Sequence, residues 1–117
     1  MPQITVDYSA AMDPGFDRAA FARALHTSVV EIAAAKPEAC KTLFRRADDT
    51  AFGYEEDGHA VVHVTLGLLA GRTDETKVKL TEAVLGLLRE HVADGGFTLH
   101  ASAEVRDLDP SYRKFEG

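Results

Sequence analysis

The chain has 117 residues, which suits one domain with a single core, and its 45% hydrophobic and 27% charged content is that of a soluble globular protein. A net charge of −6 argues against nucleic acid or an anionic membrane as the main partner, since both demand broad basic surfaces, but leaves room for a small anionic substrate held by local cations. The lone Cys40 excludes an intrachain disulfide. The absence of a signal-like leader or long apolar run makes the cytoplasm the default expectation.

Ile4, Val6 and Tyr8 alternate with Gln3, Thr5 and Asp7, the period of a half-buried strand. Asp13-Pro14 reads as an N-cap followed by proline at the first helical position. Phe21, Leu25, Ser28, Val29 and Ile32 continue at helical spacing until Pro37 stops the run. Lys41 to about Phe52 reads as a second strand and Glu55-Glu56-Asp57-Gly58 as a polar turn. His59 to Leu69 is rich in β-branched residues, with apolar residues on both parities, and reads as a central strand buried on two sides. Thr73 is the expected N-cap of a second helix, with Asp74 and Glu75 in its first turn. Its apolar face is Leu80, Val84, Leu87, Leu88 and His91, and Gly95-Gly96 ends it. Phe97, Leu99, Ala101, Ala103 and Val105 alternate in a last strand, and the polar tail after Asp109-Pro110 reads as irregular.

The order βαββαβ describes a two-layer α/β (α+β) fold over residues 1–117, one βαβ pattern used twice. Two helices cover only one face of a four-stranded mixed sheet. The other face needs water or another subunit, and oligomerisation is the economical answer. A ferredoxin-like binding module shares this element order and is the rival from another functional class.

Pro2 is the most informative position. Methionine is usually excised ahead of a small residue, which here leaves a secondary amine at the chain terminus. An α-amino group has an ordinary pKa of about 8, and burial beside a cation moves it toward 7, where it can both take and return a proton. The strand that follows immediately holds this amine rigidly at the sheet's edge. Val62-His63-Val64-Thr65-Leu66 followed by Ala70-Gly71-Arg72-Thr73 sets Arg72 at a strand-to-helix junction, where a guanidinium can grip a carboxylate through two N–H groups.

Met-Pro-x-Ile-x-Val-x-Tyr-Ser at 1–9, Val-His-Val-Thr-Leu at 62–66 and Ala-Gly-Arg-Thr at 70–73, with the helix beyond, resemble the 5-carboxymethyl-2-hydroxymuconate isomerase family of the tautomerase superfamily. That resemblance implies a homotrimer whose sheets surround a channel, with sites near the subunit interfaces. It also implies Pro2 as the acid/base, Arg72 as a carboxylate ligand, and neither metal nor organic cofactor. The implied reaction moves a proton from a dienol hydroxyl to carbon. The family's second arginine lies in an Arg-Ser-Arg stretch; its counterpart here is Lys41-Thr42-Leu43, with Arg45 and Arg46 just downstream. Lys41, Arg45 and Arg46 are therefore the candidates for the second cation, and lysine lacks the planar fork. The substrate stays open, since dehalogenases, hydratases and decarboxylases of the superfamily use the same proline. If Met1 is retained, the proline nitrogen is a non-basic amide and the fold is catalytically silent.

Among the histidines, His59 and His63 lie four apart, about 13 Å along a regular strand at about 3.3 Å per residue, too far to share a zinc ion. His63 is better read as a hydrogen-bonded sheet residue, and His26, His91 and His100 are scattered. Cys40 reads as a small buried residue and Tyr8 as core.

Overall fold

The computed structural model describes residues 2–117; Met1, whose removal the N-terminal chemistry invokes, lies outside the described residues. The elements run β1 (Gln3–Ser9), α1 (Arg18–Ala33), β2 (Lys41–Ala47), β3 (His59–Leu68), α2 (Asp74–His91) and β4 (Thr98–Asp107), with 3-10 turns at Ala10–Gly15 and Pro37–Ala39. The strand order is β2-β1-β3-β4. β1 pairs with β2 in parallel, β3 with β4 in parallel, and the two halves join through the antiparallel β1–β3 pair. The two strands of each βαβ unit are therefore direct neighbours. This rules out the ferredoxin-like arrangement, a split βαβ in which another strand comes between them.

One sheet face is apolar and covered. Ile4, Val6 and Tyr8 of β1 and Ala60, Val62, Val64 and Leu66 of β3 are buried against Phe21, Leu25 and Val29 of α1 and Leu80, Val84 and Leu88 of α2. Each fully buried Val, Leu or Phe contributes about 1.5–3 kcal/mol, so these six helical side chains dominate what holds the helices to the sheet. The opposite face is mixed. On β3 it carries His59, Val61, His63 and Thr65, all half-buried, rather than the second apolar surface expected from the sequence. Leu43 of β2 stands on this open face, 66% exposed.

Three boundaries differ from the sequence reading. The first helix starts at Arg18, not Pro14, capped by the Asp17 carboxylate, which accepts from the Ala20 N–H at 3.0 Å. Asp13 does not cap it because its carboxylate is engaged elsewhere. Tyr8 Oη donates to Asp13 Oδ1 at 2.8 Å, Arg46 Nη1 donates to Asp13 Oδ2 at 3.0 Å, and Arg18 donates to the Tyr8 hydroxyl. β2 stops at Ala47, before Asp48 and Asp49, and Phe52 instead forms a small turn with Glu55. The Thr73 cap is as expected, its hydroxyl accepting from the Thr76 N–H at 3.1 Å. Helix α2, however, ends at His91, four residues before Gly95. Among the described residues no helix is long and apolar enough to cross a membrane.

The Asp13 carboxyl is held below its ordinary pKa by the Tyr8 hydroxyl first and the Arg46 guanidinium second. Such a depressed carboxylate stabilises the fold above its unfolded value of about 3.9 and loses that contribution as pH falls through the lower folded value. Asp13→Asn is expected to be less stable than the parent at pH 7 and to approach it at pH 3. Urea unfolding at the two pH values checks this, and a constant difference between them contradicts it.

Candidate active site

The interior position of β1 fixes the start of the chain. The Lys41 N–H donates to the Pro2 carbonyl at 3.3 Å, and the registers, continued by one residue, set Pro2 between Cys40 and Leu68. Pro2 is buried, as are both neighbours. It thus stands at the end of an interior strand, with a strand on either side, rather than at a lateral edge of the sheet. Cys40 is the small buried residue expected, its thiol pushed up by burial and its Sγ 3.5 Å from the Lys36 carbonyl oxygen.

Beside this strand end the last turn of α1 meets the β3–α2 connection. Arg72 Nε and Nη2 both donate to the Ala33 carbonyl, at 3.2 and 2.9 Å, and Nη1 donates to the Leu69 carbonyl at 3.0 Å. A helix C-terminus leaves carbonyls without partners and carries partial negative charge, and here Arg72 answers both. The next residue, Ala34, is in the left-handed region at φ 56°, which turns the chain out of the helix. Three of the five guanidinium N–H donors are used in this way, and two remain to meet a ligand.

A cleft of about 350 Å³ opens here, lined among others by Lys36, Glu38, Arg72, Lys114 and Glu116. That volume is within the range of small-molecule sites. Lys41, at the same strand end, donates from Nζ to the Ala39 carbonyl at 2.9 Å. A larger cleft, about 720 Å³, lies at the opposite end of β1 around Ser9, but its rim carries Asp48, Asp49, Glu56 and Asp57. Carboxylates of an anionic ligand are repelled there, whereas the smaller cleft sets Lys36, Arg72 and Lys114 against Glu38 and Glu116 and suits an anion better; Pro2 and Lys41 lie at the neighbouring strand end and do not line it.

Of the residues singled out from sequence, Pro2, Lys41 and Arg72 converge at this end of the subunit. Arg45 and Arg46 do not. Arg45 is paired with Asp7 through Nε–Oδ1 at 2.7 Å and Nη2–Oδ2 at 3.1 Å on the open sheet face. That pair is five residues along β1 from Pro2, about 16 Å at about 3.3 Å per residue. Arg46 is turned to Asp13 and Asp48. Lys36 and Lys114 were not singled out. Lys36 carries the weak signal of a cation just past a helix end, whereas nothing in the polar tail marks Lys114. His63 is the hydrogen-bonded sheet residue expected, contacting Ser102 Oγ at 2.6 Å and Glu104 Oε1 at 3.1 Å. His100 is not isolated: its Nε2 is 3.0 Å from His59 Nδ1, and Phe52 stacks on both rings.

Since Arg72 caps α1 as well as facing the cleft, Arg72→Ala is expected to lower the unfolding free energy by about 1–2 kcal/mol. Denaturant titration measures this. Unchanged stability would mean that the guanidinium does not hold the helix end.

The profile of the 5-carboxymethyl-2-hydroxymuconate isomerase family matches residues 2–114. Among solved structures, a 5-carboxymethyl-2-hydroxymuconate delta-isomerase superposes with a TM-score of 0.84 at 16% identity, covering 100% of this chain and 89% of its own. A 5-carboxymethyl-2-hydroxymuconate isomerase from Deinococcus radiodurans R1 gives 0.73 at 22% identity, covering 98% and 90%. A fused 4-OT described as a symmetric trimer gives 0.72 at 23% identity, covering 90% and 84%. Comparison with curated protein sequences gives no match. The structural likenesses establish the fold, and the profile, running from Pro2 through nearly the whole chain, establishes that this protein belongs to the 5-carboxymethyl-2-hydroxymuconate isomerase family of tautomerase-fold isomerases.

Proposed function

We propose that this chain is a cofactor-independent tautomerase of anionic 2-hydroxymuconate-type dienols, of the 5-carboxymethyl-2-hydroxymuconate kind met in aromatic catabolism, with Pro2 as its acid/base. The observation that carries the reading is a buried Pro2, fixed between two strands, at the same end of the subunit as Lys41 and Arg72. With Met1 removed, its nitrogen is a secondary amine. Burial and the cations at this strand end disfavour its ammonium form and lower its pKa from the ordinary α-amino value.

The amine takes the proton of the dienol hydroxyl as electron density moves through the conjugated chain, and the ammonium then delivers a proton to a distal carbon to give the conjugated ketone. The two free N–H donors of Arg72 hold one substrate carboxylate. Of the three residues considered for the second cation, Lys41 is the one at this strand end, while Arg45 and Arg46 are held by carboxylates of their own. Self-association as a homotrimer is part of the proposal. It is supported by the symmetric trimers named among the solved relatives and by an open sheet face that exposes Leu43.

Activity toward 2-hydroxymuconate, measured on protein whose intact mass is short by one methionine, tests the reading. Pro2→Ala is expected to lower kcat/KM by about 100-fold or more, the usual worth of a positioned acid/base. Equal activity in the variant and the parent removes Pro2 from that role.

A further inference from the structure

We propose that Lys114, carried over the cleft by the C-terminal segment, makes the site selective for dicarboxylates over monocarboxylates, and that Glu116 occupies its place as an internal carboxylate until such a ligand arrives. The inference rests on the tautomerase reading only in identifying the cleft as the substrate site.

The segment after β4 has no regular structure, yet it is fastened at several points. The Leu108 N–H donates to the Leu68 carbonyl at 2.7 Å. The Leu108 side chain lies so close over Gly67 that a Cβ there would come within 2.9 Å of it. The Tyr112 hydroxyl accepts from Gln3 Nε2 at 3.1 Å. Leu68 faces Pro2 in the register and Gln3 follows Pro2 in sequence, so these contacts tie the segment to the catalytic strand end. Lys114 comes two residues after Tyr112 and lines the same cleft as Lys36 and Arg72.

Lys114 Nζ pairs with Glu116 Oε1 at 2.9 Å, so a carboxylate already sits in the cleft. The Glu116 carboxyl is held below its ordinary pKa by Lys114 and, more weakly, by the field of Lys41. Its side chain is nonetheless 82% exposed, and an ion pair so open to water exchanges readily for another anion. A ligand with one carboxylate on Arg72 and a second on Lys114 engages two cations that line the cleft, whereas a monoacid leaves Lys114 with Glu116.

Titration calorimetry with 2-oxoadipate and 2-oxohexanoate, six-carbon acids bearing two and one carboxylates, tests this on the full chain. The parent is expected to bind the diacid about tenfold tighter than the monoacid. Lys114→Gln is expected to bring the two within about twofold by weakening the diacid alone, Lys114→Arg to keep the preference, and Glu116→Gln to tighten the diacid about threefold. The inference is overturned if the parent shows no preference, if Lys114→Gln retains it, or if that variant weakens both ligands equally. Failure of the tautomerase reading is a separate result: Pro2→Ala turning over 2-hydroxymuconate like the parent, with these binding ratios intact.

Discussion

Everything at the site depends on β1 being an interior strand that begins at the start of the chain. An N-terminal segment on a sheet edge frays on one side, whereas this one is hydrogen-bonded by β2 and β3 and covered by both helices. Pro2 therefore inherits its position from an interior strand packed into the core. The proline ring also blocks rotation about its N–Cα bond, so in the proposed role the amine spends little freedom when a substrate arrives.

The second constraint is the handling of charge. With a net −6, the protein attracts an anion only by separating its charges, and the two ends of the sheet do this. Around Ser9 the loops are acidic. At the Pro2 end, the negative end of α1 is covered by Arg72, and Lys36, Lys41 and Lys114 outnumber Glu38 and Glu116. The guanidinium that keeps the helix end from repelling a carboxylate is also the one with donors left to bind it. Stability and the proposed binding thus draw on one side chain.

The fold was readable in the sequence wherever one local period governed it. Alternation in Gln3–Tyr8 and from Phe97 onward, the apolar stripe at Leu80, Val84 and Leu88, and the Thr73 cap all mark structure fixed within a few residues. Readings failed where a distant partner decided. Asp13 looks like a helix cap until Tyr8 and Arg46 claim its carboxylate. Phe52 looks like strand until His59 and His100 stack beneath it. Pro2 and Arg72 could be picked out because the chain start and a strand-to-helix junction are local features. The choice among Lys41, Arg45 and Arg46 could not be made, since it turns on Asp7, Asp13 and the β1–β2 register. Lys114 was out of reach because its role depends on a strap fastened more than a hundred residues away in sequence, at Gln3.

The central claim is that the Pro2 nitrogen is a free amine made less basic by its surroundings. A pH titration of that nitrogen by NMR, in mature protein carrying 15N-labelled proline, reads this directly. The account predicts a resonance that titrates below the ordinary α-amino value of about 8. A nitrogen that does not titrate, as behind a retained methionine, or one that titrates at about 8 or above, contradicts it.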